Sequence, residues 1–133
     1  MSFGVAFNAS AQVQDLHPAG ARILAALAHA AMLEQCTLTV TCGREGHGPT
    51  NPHTLGKAFD VRTKDLEVGR LLRVYESLRQ ILGRDFTVLY EVPSLQSTIQ
   101  ALKPIAYVNA HASAPHFHIQ LRKGLAVWPA VDI

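Results

Sequence analysis

His53 and Asp60 stand seven positions apart in Asn51-Pro52-His53-Thr54-Leu55-Gly56-Lys57-Ala58-Phe59-Asp60, and His116-Phe117-His118 follows far downstream. An imidazole, a carboxylate and a second imidazole are the donors of a zinc site. They supply three protein ligands and leave one position open, which is the coordination of a catalytic rather than a structural zinc. Such a site exists only in a fold that carries the late histidines to the early loop. Gly56 and Ala58 fit that demand, because the chain between His53 and Asp60 must bend to put both on one ion at about 2.0–2.2 Å, and bulky residues would obstruct the bend. His116 and His118 lie two apart in a segment that reads as a strand, so both leave the same face while Phe117 points to the core.

The chain of 133 residues is expected to form a single domain, 1–133, large enough for a core without staples. Hydrophobic residues make up 48% and charged residues 17%, and the net charge is +2 with no run of like charge. A nucleic-acid surface would show a clustered basic stripe, so no nucleic-acid partner is expected. The first basic residue is Arg22, so the amino terminus lacks the charged region of a secretory signal. Cytoplasmic synthesis without a signal peptide follows as an expectation. The apolar run Ile23 to Leu33 falls far short of the ~20 residues of a membrane span. Cys36 and Cys42 flank an extended segment that would hold their sulfurs roughly 20 Å apart, whereas a disulfide needs Cα atoms within about 7 Å. Free thiols are expected. The oligomeric state is not written in the sequence.

His17-Pro18 opens a first helix that runs to about Gln35, with Ile23, Leu24, Leu27 and Ala31 at helical spacing. Cys36 to Cys42 is a strand, Arg44 to Leu55 a loop, and Ala58 to Thr63 a second strand with Ala58, Asp60 and Arg62 on one face and Phe59 and Val61 facing the core. Thr63 is expected to cap a helix carrying Val68, Leu71, Leu72, Tyr75, Leu78 and Leu82, with Gly83 as its stop. Phe86 to Val92 alternates as a strand, Ser94 to Leu102 reads as a weak helix, and Ile105 to Val108 with Pro115 to Leu121 completes the strands. Mixed order and hairpin-length late connections predict an α+β domain with a small antiparallel sheet packed by helices.

The segment His53-x-x-Gly56-x-Ala58-x-Asp60 with a late His resembles the zinc peptidoglycan peptidases of the D-alanyl-D-alanine carboxypeptidase family, relatives of the phage L-alanyl-D-glutamate endopeptidases and of the hedgehog signalling domain. Their pattern is S-x-H-x-x-G-x-A-x-D, and Asn51 here replaces the Ser. Leu38-Thr39-Val40-Thr41-Cys42-Gly43-Arg44 is similar to the strand and S-G-x-R turn that precede it, so the resemblance covers about Leu16 to Arg122. It implies a hedgehog/DD-peptidase-like fold, Zn2+ held by His53, Asp60 and His118, and Arg44 as the cation for a substrate carboxylate or carbonyl. The implied activity is hydrolysis of a D,D- or L,D-bond in the stem or cross-link peptides of bacterial peptidoglycan, by a carboxypeptidase or an endolysin-like endopeptidase. A phage-encoded lytic enzyme released to the cell wall is the setting that a missing signal favours.

Many members carry a catalytic Glu three residues before the last ligand, where this chain has Pro115. Other members use a His-x-His pair whose first His assists the reaction, which assigns that role to His116. Glu91 is the reserve general base and Glu45 a weaker one. Taken singly, a His-x-His pair or His53 with Asp60 is more often a hydrogen-bonded structural feature; their joint occurrence in order, after Gly43-Arg44, favours metal. His47 and His111 read as solvated loop residues, His17 as helix-terminal and His29 as helix-packing. Arg62 and Arg122 read as structural partners of carboxylates. Cys42 would be a strong zinc ligand if it were in reach, but the resemblance already supplies three. The alternative function is a non-catalytic zinc-binding module of the same fold, structural or cell-wall-binding, and a fourth protein ligand such as His47 or Cys42 would favour it.

Overall fold

A computed structural model describes residues 3–14, 17–43, 51–53 and 55–122. Pro18 enters the first turn of helix α1 (Pro18–Glu34), whose amino end is capped by His17, with Nδ1 accepting from the Ala19 N–H at 2.9 Å. Gln35 ends α1 in the left-handed conformation (φ 53°). Its buried stripe holds Ala19, Ile23, Ala26, Leu27, Ala30 and Ala31. His29 lies on the other side and is exposed rather than packed in the core, contrary to its sequence reading. Helix α2 (Val68–Leu82) buries Leu71, Val74, Leu78 and Leu82 and stops at Gly83, φ 76°, a conformation that costs glycine little. Its cap is Glu67, whose side chain accepts from the Arg70 N–H at 2.7 Å. Thr63, the expected cap, instead donates its hydroxyl to the Pro115 carbonyl at 3.2 Å and ties the early strand to the late one.

The strands are β1 (Gly4–Phe7), β2 (Thr37–Cys42), β3 (Ala58–Arg62), β4 (Phe86–Val92), β5 (Ala106–Val108) and β6 (His116–Leu121). They form one six-stranded sheet in the order β1-β2-β3-β6-β4-β5. The domain is α+β as expected, but the sheet is neither small nor antiparallel throughout: β1 pairs with β2, and β4 with β5, in parallel. β1 carries no alternation to betray it, since only parallel pairing beside β2 makes Gly4–Phe7 a strand. The late connections are not hairpins either. Ser94 to Thr98 forms a turn closed by Thr98 Oγ1 on the Ser94 carbonyl at 2.7 Å, and a 3-10 helix (Gln100–Ile105) crosses over to β5 in place of the expected helical segment.

Alternation along β3, β4 and β6 sets the two faces apart. Phe59, Val61, Val88, Tyr90, Phe117 and Ile119 are buried in the core with α1 and α2. The Phe117 ring sits 6.0 Å from Tyr90 and 6.3 Å from Tyr75 of α2. Burying one such ring stabilises by about 1.5–3 kcal/mol. Asp60, Glu91, His116 and His118 occupy the opposite face at intermediate exposure. Among the described residues no helix is long and apolar enough to cross a membrane.

The loop before β3 is anchored on α1 by backbone contact. A Cβ on Gly20 would run into the Gly56 carbonyl, and Gly56 itself has φ 73°. Gly20→Ala must therefore push α1 off the loop that carries His53. We expect a loss of about 1–3 kcal/mol, read as a lower thermal midpoint; an unchanged midpoint would show that the helix and loop are not held in contact.

Candidate metal centre

Register brings the two halves of the motif together. Asp60 of β3 lies opposite His118 of β6, and His116 lies between Arg62 of β3 and Glu91 of β4. Facing residues of an antiparallel pair share a sheet face, so five polar side chains from three strands, Asp60, Arg62, Glu91, His116 and His118, share it. His53 reaches them from the turn before β3, in which Leu55, Gly56 and Lys57 donate N–H groups back to Asn51, His53 and Pro52. Asn51 holds the turn by accepting the His53 N–H on Oδ1 at 2.9 Å, the role that an Asn side chain plays in an Asx turn. Asn51 thus works where the resembling motif has Ser.

Asp60 Oδ1 is the hub, 2.9 Å from His118 Nδ1, 3.5 Å from His53 Nε2 and 3.7 Å from His116 Nε2. Two donors on one tetrahedral ion lie about 3.3–3.4 Å apart, from their bond lengths. The His53 and His118 nitrogens bracket that separation around Asp60, and the two rings meet edge-on with centroids 5.1 Å apart. Partners behind the rings select which nitrogen faces the carboxylate. His53 Nδ1 lies 3.1 Å from the Gly43 carbonyl, which can only accept, so Nδ1 carries the proton and Nε2 is left for the centre. His118 Nε2 donates to Gln120 Oε1 at 2.6 Å, and Gln120 turns its amide nitrogen to the Leu121 carbonyl. His118 Nδ1 is then the inward nitrogen.

The electrostatics agree with that assignment. Burial alone would raise the Asp60 carboxyl, but hydrogen bonds and charge from His118 and His53 hold it well below the usual carboxylate range. Burial lowers His118, yet hydrogen bonds to Asp60 and Gln120 and the charges of Asp60 and Glu91 push it above the ordinary imidazole value. A proton between His118 Nδ1 and Asp60 Oδ1 thus fills the place a cation would take. Metal ligands must be deprotonated, so a metal entering here displaces that proton. Gln120→Ala removes the group that orients His118. Outer partners of this kind are worth about 10–100-fold in metal affinity, and we expect a loss in that range by competitive chelator titration, with the fold intact.

Cys42 joins two members of this cluster, His53 and Asp60. Its Sγ, a His53 nitrogen and an Asp60 oxygen all lie within 4.8 Å of one another, a grouping able to hold a metal ion. Sequence reasoning named Cys42 and set it aside. The β2–β3 register supplies the missing fact: it slips between Val40 and Cys42, so Val40 faces Val61 while Cys42 faces Asp60. An irregularity of the β-bulge kind re-aims a side chain in this way.

His116 and Glu91 form the flank of the site. His116 Nδ1 is 2.9 Å from the Ala114 carbonyl and Nε2 is 2.9 Å from Glu91 Oε1, on which Asn109 Nδ2 also donates at 3.4 Å. Because the Ala114 carbonyl only accepts, Nδ1 bears a hydrogen, and the contact on the other side requires a second proton between Nε2 and the carboxylate. Asp60, Cys42, Thr41, His116, Arg62 and Lys64 line one cleft of about 480 Å³. Arg62 meets Asn8 Oδ1 at 3.1 Å and Asp65 at 3.5 Å, in line with its structural reading. His111 is exposed, as a solvated loop histidine should be. Arg44, Glu45 and His47 lie outside the described residues. No known family model, curated protein or solved structure matches the chain.

Proposed function

We propose that the protein is a zinc-dependent peptidase acting on the stem or cross-link peptides of bacterial peptidoglycan, with zinc held by His53 Nε2, Asp60 Oδ1 and His118 Nδ1. The observation that carries this reading is the orientation of both imidazoles by groups behind them, Gly43 and Gln120, so that the remaining nitrogens meet one carboxylate oxygen. Two neutral imidazoles and one carboxylate suit zinc by ligand type and keep a residual positive charge on the ion. Zinc bound there supplies Lewis acidity toward a water and an amide carbonyl.

The protein's own groups handle the protons. Glu91 accepts the proton that an attacking water gives up, and His116 delivers the proton held at Nε2 to the departing amine. Their 2.9 Å contact lets the charge pass between them. This arrangement takes the place of the glutamate that the resembling peptidases carry where Pro115 stands here. Arg44 is the proposed cation for an anionic substrate group, a bidentate task suited to guanidinium. The resemblance to the D-alanyl-D-alanine carboxypeptidase family and the hedgehog-like fold belong to this proposal, as does release of a cytoplasmically made, phage-type enzyme to the wall.

The test is metal content by mass spectrometry on untagged protein, paired with digestion of cell-wall peptides monitored for new termini. About one zinc per chain with a cleaved peptide supports the reading and identifies the bond. Zinc without cleavage favours the second reading, a zinc-binding module without catalysis, which draws on the nearness of Cys42 because a centre closed by protein donors leaves no place for water. Failure to bind zinc overturns both.

A further inference from the structure

We infer that Cys42 is itself a metal ligand, and that the resting centre is closed by Cys42, His53, Asp60 and His118. The inference rests on the metal reading above and adds a donor that the three-ligand pattern lacks. Two linked observations carry it. The sulfur already lies within 4.8 Å of the His53 and Asp60 donor atoms. The register slip between Val40 and Cys42 is what places it there. With Leu38 and Val40 fully buried, unbroken alternation would continue Cys42 into the core opposite Phe59; the slip turns it to the metal face instead.

Binding requires the four donors to draw together. A thiolate and an imidazole on one tetrahedral zinc stand about 3.5 Å apart, from bond lengths of about 2.3 and 2.0–2.1 Å. The Cys42, His53 and Asp60 donors lie within 4.8 Å of one another, so side-chain rotation must draw them and His118 together on binding. On binding, the Cys42 thiol gives its proton to solvent, a zinc–sulfur bond forms, and the sulfur takes the position that water would hold. Cys42 Sγ also lies 3.8 Å from the Gly43 carbonyl, a weak thiol contact that metal binding would exchange. Thiolate is also the softest donor of the four and favours zinc over magnesium or calcium. For a peptidase the consequence is a latent centre, in which the sulfur must leave before water and substrate can enter.

Cobalt(II) substitution reads this directly, since thiolate ligation adds an intense near-ultraviolet charge-transfer band to the visible d–d bands that any tetrahedral cobalt site shows. Wild-type protein titrated with Co2+ is expected to show both, and Cys42→Ser to keep the d–d bands, lose the charge-transfer band and bind roughly tenfold or more weakly. Turnover per bound zinc should rise in Cys42→Ser. Cys36 is no source of the band: it is 8% exposed before the opposite end of β2, and burial pushes its thiol up. If Cys42→Ser does not fold, the wild-type band alone decides. Visible d–d bands without charge transfer would overturn the role of Cys42 and leave three ligands standing. Absence of any cobalt or zinc binding by folded wild-type protein would overturn the metal reading itself.

Discussion

Asp60→Ala is expected to lose zinc and peptidase activity together, with zinc per chain falling from about one to near none. Asp60 Oδ1 is the atom on which His53, His116 and His118 all converge, at 2.9 to 3.7 Å. Its removal takes away the one negative donor that resembling peptidases share and leaves His53, 4% exposed, facing a void. Groups that only touch a ligand are worth about 10–100-fold in affinity, so a ligand at the hub should exceed 100-fold. The strand should survive, because alanine suits a half-buried position between Phe59 and Val61, which keep their core contacts. Far-ultraviolet circular dichroism checks the fold, and mass spectrometry the metal. An Asp60→Ala protein that cleaves peptide without zinc ends the proposal.

The second large effect separates the proton machinery from the metal. His116→Ala should retain zinc and lose turnover by about 10²–10⁴, the range of a positioned acid or base. His116 faces Glu91 at 2.9 Å and Asp60 only at 3.7 Å, so its shortest bond belongs to the flank and not to the hub. Glu91→Gln should also lower turnover with zinc retained, because the amide keeps a hydrogen bond but accepts no proton from water. Steady-state kinetics at saturating peptide, beside metal analysis of the same samples, distinguishes the roles. Release of zinc on removing His116 would make it a ligand and return the search for the acid to other residues.

Local sequence determined a good deal here. The period of α2 from Val68 to Leu82 and its stop at Gly83 are visible as spacing, because a helix buries one stripe whatever it packs against. The face assignments of β3 and β6 follow from strict alternation: Phe59, Val61, Phe117 and Ile119 are all buried, while Asp60, His116 and His118 share the other face. Residue type and spacing, with the resemblance of His53-x-x-Gly56-x-Ala58-x-Asp60 and a late His to a zinc motif, made His53, Asp60 and His118 candidates and Gly56 the bend between the first two.

What tertiary structure decided has no local signature. β1 exists only through parallel pairing with β2, and β5 joins in parallel after a crossover, so a small antiparallel sheet was the wrong expectation. Thr63 had the residue type of a helix cap but found a carbonyl across the sheet, a bond invisible to spacing. Glu91, a reserve candidate by type, is placed against His116 by the β4–β6 register. Cys42 shows the division most sharply. Its residue type marked it as a strong zinc donor if in reach, and the resemblance already supplied three ligands without it; a one-residue slip between two strands, which no periodicity encodes because side-chain direction inverts with every residue, turned it to Asp60.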